Sequence, residues 1–147
     1  MQFFKTTILG LSLAAASLSQ PLEERQAQIV NLTFHGGPAS YELAVPTDGT
    51  VIPTNRNNLA VSIIDTPDYN AISQCTFNTA GVATLEHYVT QDGLQQIIVG
   101  PPQPILSVSC EGTCVPTYGQ CYINNQFVGP CCNGFCAATR CRPWTIT

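Results

Sequence analysis

Six of the chain's eight cysteines fall within 28 residues, spaced Cys114-x6-Cys121-x9-Cys131-Cys132-x3-Cys136-x4-Cys141. A segment that short cannot bury enough apolar surface to fold unaided, so the fate of its sulfurs decides what it becomes. Zinc, redox-active thiols and disulfides compete for such a cluster. Zinc sites favour C-x2-C pairs, often with histidine close by, and this segment contains neither. Disulfides are the default in an oxidising compartment, so the N-terminus settles the matter.

Lys5 supplies a positive start and residues 8–18, ILGLSLAAASL, an apolar run. Ser17 and Ser19 stand at −3 and −1 of a cleavage site before Gln20. Residues 1–19 therefore read as a secretory signal peptide, too short to span a bilayer. Residues 20–25, QPLEER, read as a pro-segment ending at Glu24-Arg25 where a dibasic pair is usual. The expected product is secreted and extracellular, with no membrane span. It keeps three cations, Arg56, Arg140 and Arg142, against seven carboxylates, and no lysine. That balance argues against nucleic acid and against polybasic lipid binding.

An even cysteine count in a secreted chain implies pairing. Cys75 and Cys110 stand apart from the cluster, and a bridge between them would join distant parts of one core. Pairing of Cys110 with Cys114 stays open at this level. If Cys75 takes Cys110, the other six are self-contained, and the chain divides into residues 26–112 and 113–147.

The stretch CVPTYGQCYINNQFVGPCCNGFCAATRC (114–141) resembles the inhibitor cystine knot, or knottin, family. A hevein-like chitin-binding module also has an adjacent pair, but usually places five residues after it, often beginning with Ser. Here there are three, beginning with Asn133. The knottin resemblance implies Cys114–Cys132, Cys121–Cys136 and Cys131–Cys141. Asn133-Gly134 suits a tight turn, and a hairpin is expected around Cys136 and Cys141, connected through residues 137–140.

Residues 26–112 read as β structure. IVNLTF (29–34) and YELAV (41–45) alternate with Val30, Leu32, Phe34, Tyr41, Leu43 and Val45 inward, joined by the turn HGGPAS. NLAVSIID, CTFNT, ATLEHYV, LQQIIVG and ILSVSC continue the series, with turns at Asp48-Gly49, Pro67-Asp68, Ala80-Gly81, Asp92-Gly93 and Pro101-Pro102. The expected fold is all-β: a small sandwich or barrel followed by the disulfide-rich, knottin-like module, with no helix.

Catalysis has little to stand on. His35, read in a turn, and His87, read on a strand, lack metal-ligand spacing, and there is no G-x-S-x-G motif. With the cysteines bridged no thiol nucleophile remains, so no enzyme activity, metal or cofactor is expected. A binding surface has more support. Tyr122, Phe127, Phe135 and Trp144 lie beside Arg140 and Arg142. A bridge-held core leaves large rings exposed, and Tyr, Trp and Arg are interface anchors. Phe127 and Phe135, and also Tyr122 and Trp144, have the alternative of packing on the sandwich. Loop 122–130 with Arg140, Arg142 and Trp144 is the expected binding surface. Asn31 begins the single N-glycosylation sequon and faces outward if Leu32 faces inward.

The whole resembles small secreted cysteine-rich proteins of filamentous fungi, which act as effectors, elicitors or inhibitors. The expectation is a monomeric, non-enzymatic effector that binds an extracellular host or competitor protein. The alternatives are a chitin- or glucan-binding wall protein, or an inhibitor whose RPWTIT tail enters the cleft of a secreted hydrolase.

Overall fold

The computed structural model describes residues 28–144. Residues 1–19 and 20–25, expected to be a signal peptide and a pro-segment, and the end of the RPWTIT tail lie outside the described residues. The protein is all-β, built from β1 (Ile29–Gly36), β2 (Ala39–Pro46), β3 (Ile52–Pro53), β4 (Val61–Asp65), β5 (Cys75–Thr79), β6 (Thr84–Val89), β7 (Gln95–Gln103), β8 (Ile105–Cys110), β9 (Tyr122–Ile123), β10 (Gln126–Phe127), β11 (Phe135–Ala137) and β12 (Arg140–Arg142). One helical turn, α1 (Ala71–Gln74), precedes β5, where the sequence pattern predicts no helix. Among the described residues, no helix is long and apolar enough to cross a membrane.

An antiparallel five-stranded sheet, ordered β2-β1-β4-β7-β6, faces a three-stranded sheet, β3-β8-β5. The strand alternation read from the sequence supplies the core between them. Val30, Leu32, Phe34, Tyr41, Val45, Val61, Ile64, Ile97 and Val99 come from the larger sheet; Phe77, Ile105 and Val108 come from the smaller. Phe34 stacks on Tyr41 at 4.8 Å and meets Phe77 edge-on at 6.5 Å, tying the sheets together.

Two turn assignments are corrected. His35 lies on β1, opposite Ser40 and Ile63, because the hairpin closes with only Gly37-Pro38 between the paired Gly36 and Ala39. Gly37 has φ +62°, which glycine adopts without a Cβ penalty. Pro101-Pro102 do not end β7, which runs on to pair Gln103 with Val61 beyond a bulge.

The C-terminal module packs against β7 and β6, with Trp144 and the Cys132 carbonyl on Gln95 and the Trp144 ring beside His87. Gln95 shares the inward side of β7 with Ile97 and Val99 and is 4% exposed. Its Nε2 donates to the carbonyls of Thr66 (3.0 Å), Tyr69 (3.4 Å) and Cys132 (2.9 Å). Its Oε1 accepts from Trp144 Nε1 (2.7 Å) and Gly134 N (3.4 Å). Asn133 Nδ2 donates to the Pro67 carbonyl (2.8 Å), and the Tyr69 hydroxyl to the Gly112 carbonyl (2.5 Å).

The chain has four disulfides: Cys75–Cys110, Cys114–Cys132, Cys121–Cys136 and Cys131–Cys141. The first joins residues directly opposite on β5 and β8. The other three join the partners that the knottin resemblance implies. Cys121, Cys131 and Cys141 are buried, their sulfurs within 4.8 Å of one another. All three are bonded to partners, so this sulfur cluster presents no thiolate to an ion. Gly134 has φ +94°, and a Cβ there would fall 1.7 Å from the Arg142 carbonyl oxygen. Asn133, by contrast, does not adopt a positive φ; its side chain holds the sandwich instead.

Candidate functional site

The residues after Cys121 form a short hairpin rather than an open loop. β9 and β10 pair Ile123 with Gln126 and Tyr122 with Phe127, turning through Asn124 (φ +53°) and Asn125 (φ +65°). Asparagine tolerates this left-handed region better than most residues. The base is fixed by Cys121 through its bridge to Cys136 and by Val128 N donating to the Cys121 carbonyl (2.9 Å). Tyr122 (40% exposed) and Phe127 (58%) meet edge-to-face, centroids 5.5 Å apart at 61°. Ile123 and Val128 beside them are also exposed. Phe127 is therefore not packed on the sandwich; it is exposed on the hairpin, where it forms the closing pair with Tyr122 beside Cys121.

The other expected binding residues separate from this hairpin. Trp144 is half-buried at the junction, tethered to Gln95, its ring 5.5 Å from Phe135 and 5.6 Å from His87. Phe135 remains partly exposed while lining that junction. Arg142 donates from Nε to the Ala137 carbonyl (3.4 Å), across its own hairpin. Arg140 is exposed, and its Nη1 donates to the Tyr118 carbonyl (2.9 Å). Tyr118 is itself largely exposed. Tyr122 and Phe127 thus form one group, and Trp144 with Phe135 another whose anchorage is structural.

Charge is segregated between the modules. Residues 112–139 contain no charged side chain, and Arg140 and Arg142 follow. All seven carboxylates of the described residues lie between Glu42 and Glu111, with Arg56 alone for balance. Among the described residues, the hairpin therefore belongs to the module whose charged side chains are Arg140 and Arg142.

Neither histidine is placed as a catalytic base toward a nucleophile. His87 is exposed beside Trp144. The His35 Nε2 donates to Asp65 Oδ2 (2.7 Å), while the Ser62 hydroxyl donates to the His35 main-chain carbonyl (3.4 Å), not to its imidazole. Asn31 lies on the outer face of β1, exposed and opposite Ala44. No protein family, no characterised protein and no solved structure matches this chain.

Proposed function

We propose that this is a secreted, non-enzymatic, effector-like protein of fungal type, whose knottin-like module binds an extracellular host or competitor protein. The observation that carries this reading is the β9–β10 hairpin, with four apolar side chains, two of them aromatic, exposed along it and its base covalently fixed. Fixing the base before binding reduces the ordering cost that a flexible loop would incur. Buried aromatic anchors dominate protein–protein affinity. The two rings stand at 61° to each other, forming a wedge. A wedge suits insertion into a protein pocket; stacking along a flat polysaccharide would favour coplanar rings. The inhibitor alternative loses support because Trp144, at the root of the tail, is held to the sandwich.

The test is a Tyr122→Ala/Phe127→Ala variant. Wild-type protein cross-linked in host extracellular fluid should capture a specific protein. The variant should bind that protein at least about tenfold more weakly, with unchanged thermal unfolding, as expected for loss of hot-spot anchors. Equal binding by the two proteins would overturn the assignment.

A further inference from the structure

We propose that the outer face of the five-stranded sheet, opposite the knot, is a second binding site that takes a neutral saccharide. The strand register lays Tyr88, Gln96, Asp65 and Thr33 side by side across four strands. Most polar side chains on such a face point freely into water. Here two turn inward onto one carboxylate: His35 Nε2 donates to Asp65 Oδ2 (2.7 Å) and Gln96 Nε2 to Asp65 Oδ1 (2.8 Å). Asp65 is only 19% exposed, so the network is fixed before any ligand arrives.

A shallow cavity of about 200 Å³ adjoins this row, lined by Thr84, Glu86, Ile98 and Gly100. Gly100 opens onto this depression, since a Cβ there would meet nothing within 4 Å. The cavity lies below the roughly 300 Å³ at which drug-sized pockets begin, so it would hold only part of an extended ligand. Ile98 gives it an apolar floor, and the Tyr88 ring, half exposed on the edge strand, stands next to Glu86.

The donors and acceptors point to hydroxyls. The Gln96 Oε1 accepts, as does the His35 Nδ1 when Nε2 carries the proton given to Asp65. Thr84 and Tyr88 hydroxyls do both, and Glu86 accepts. Every sugar hydroxyl both donates and accepts, and its ring has an apolar face for Ile98 and Tyr88. Asp65 is already engaged by two donors, leaving Glu86 as the one carboxylate lining the cavity, with the exposed Glu42 at the far end of the row on β2, opposite Thr33. A mixed set of this kind does not require a cationic ligand. This site is independent of the hairpin reading, because it lies on the other module.

The test is calorimetric titration of the full mature chain with cellohexaose, laminarihexaose, xylohexaose and chitohexaose. At least one should bind. Tyr88→Ala and Gln96→Ala should each weaken it about five- to tenfold, the effect of losing a platform or one hydrogen bond. Tyr88→Ala should keep the wild-type thermal transition, Gln96→Ala should unfold cooperatively at a somewhat lower temperature for the lost bond to Asp65, and Tyr122→Ala/Phe127→Ala should bind as wild type. The proposal is overturned if none of the four sugars binds, or if the Tyr88 and Gln96 variants bind unchanged. It is also overturned if binding follows the hairpin variant, or if hexa-arginine binds the face and the sugars do not.

Discussion

Gln95 fastens the two modules with one side chain. Its amide spends both donors and its oxygen on groups buried at the junction, including a knot carbonyl and the Trp144 indole. Gln95→Leu keeps the volume but strands those partners. It should lower stability by about 2–4 kcal/mol, since each buried group left unpaired costs about 1–3 kcal/mol. Urea unfolding measures that loss. Trp144 is the single tryptophan, so acrylamide quenching of its fluorescence should rise in the variant. Unchanged quenching would show that the indole is held by something else. This contact was half legible. Gln95 shares strand parity with Ile97 and Val99, marking an inward polar residue, but nothing local names partners on Cys132 or Trp144. His35 and Asp65 were hidden similarly, being 30 residues apart and joined only by strand order.

Among the elements, the β11–β12 hairpin carries visible strain. Its two-residue turn is Ala138 (φ +53°) and Thr139 (φ +67°), where a β-branched side chain is an outlier. The Thr139 carbonyl accepts from Cys121 N (2.9 Å), so the turn is held by the neighbouring strand entry. Thr139→Gly should raise stability by about 0.5–1 kcal/mol, the αL relief exceeding glycine's added unfolded-state entropy. A lower melting temperature in the variant would count against that strain. At the entry to the knot, Cys75→Ala/Cys110→Ala should cost roughly 3–4 kcal/mol by opening a loop of 35 residues in the unfolded chain. Denaturant unfolding of the double variant checks this value. The sequence marked the hairpin around Cys136 and Cys141 but not the one at β9–β10. Strands of two residues are too short for alternation to appear, although Asn124-Asn125 did carry the turn signal. The larger strands were legible because each exposes one face and buries the other. Proline misled at Pro101-Pro102, which lie at the far end of the long strand β7, beyond the residues it pairs with β6.

For the whole molecule, alkaline pH probes the junction and core together. Burial raises the Tyr41 phenol above its ordinary 10.0. Burial and then the Glu111 charge raise that of Tyr69, whose hydroxyl donates to Gly112 at the entry to the knot. A folded pKa above the unfolded one means the folded state holds its protons longer. That stability is fully present below pH 10 and is lost as pH rises through the raised values. Melting temperature should therefore fall from about pH 10 upward, and Tyr69→Phe should flatten part of the fall. A variant profile identical to wild type would remove Tyr69 from the account.

The separation of charge also makes the molecule an electric dipole. Its acidic sandwich and cationic knot would turn in opposite directions near a charged surface. On a quaternary-amine bead the protein should settle sandwich-down and present the β9–β10 tip to solution, oriented without any coupling chemistry. On a sulfonate surface the same tip would face the bead.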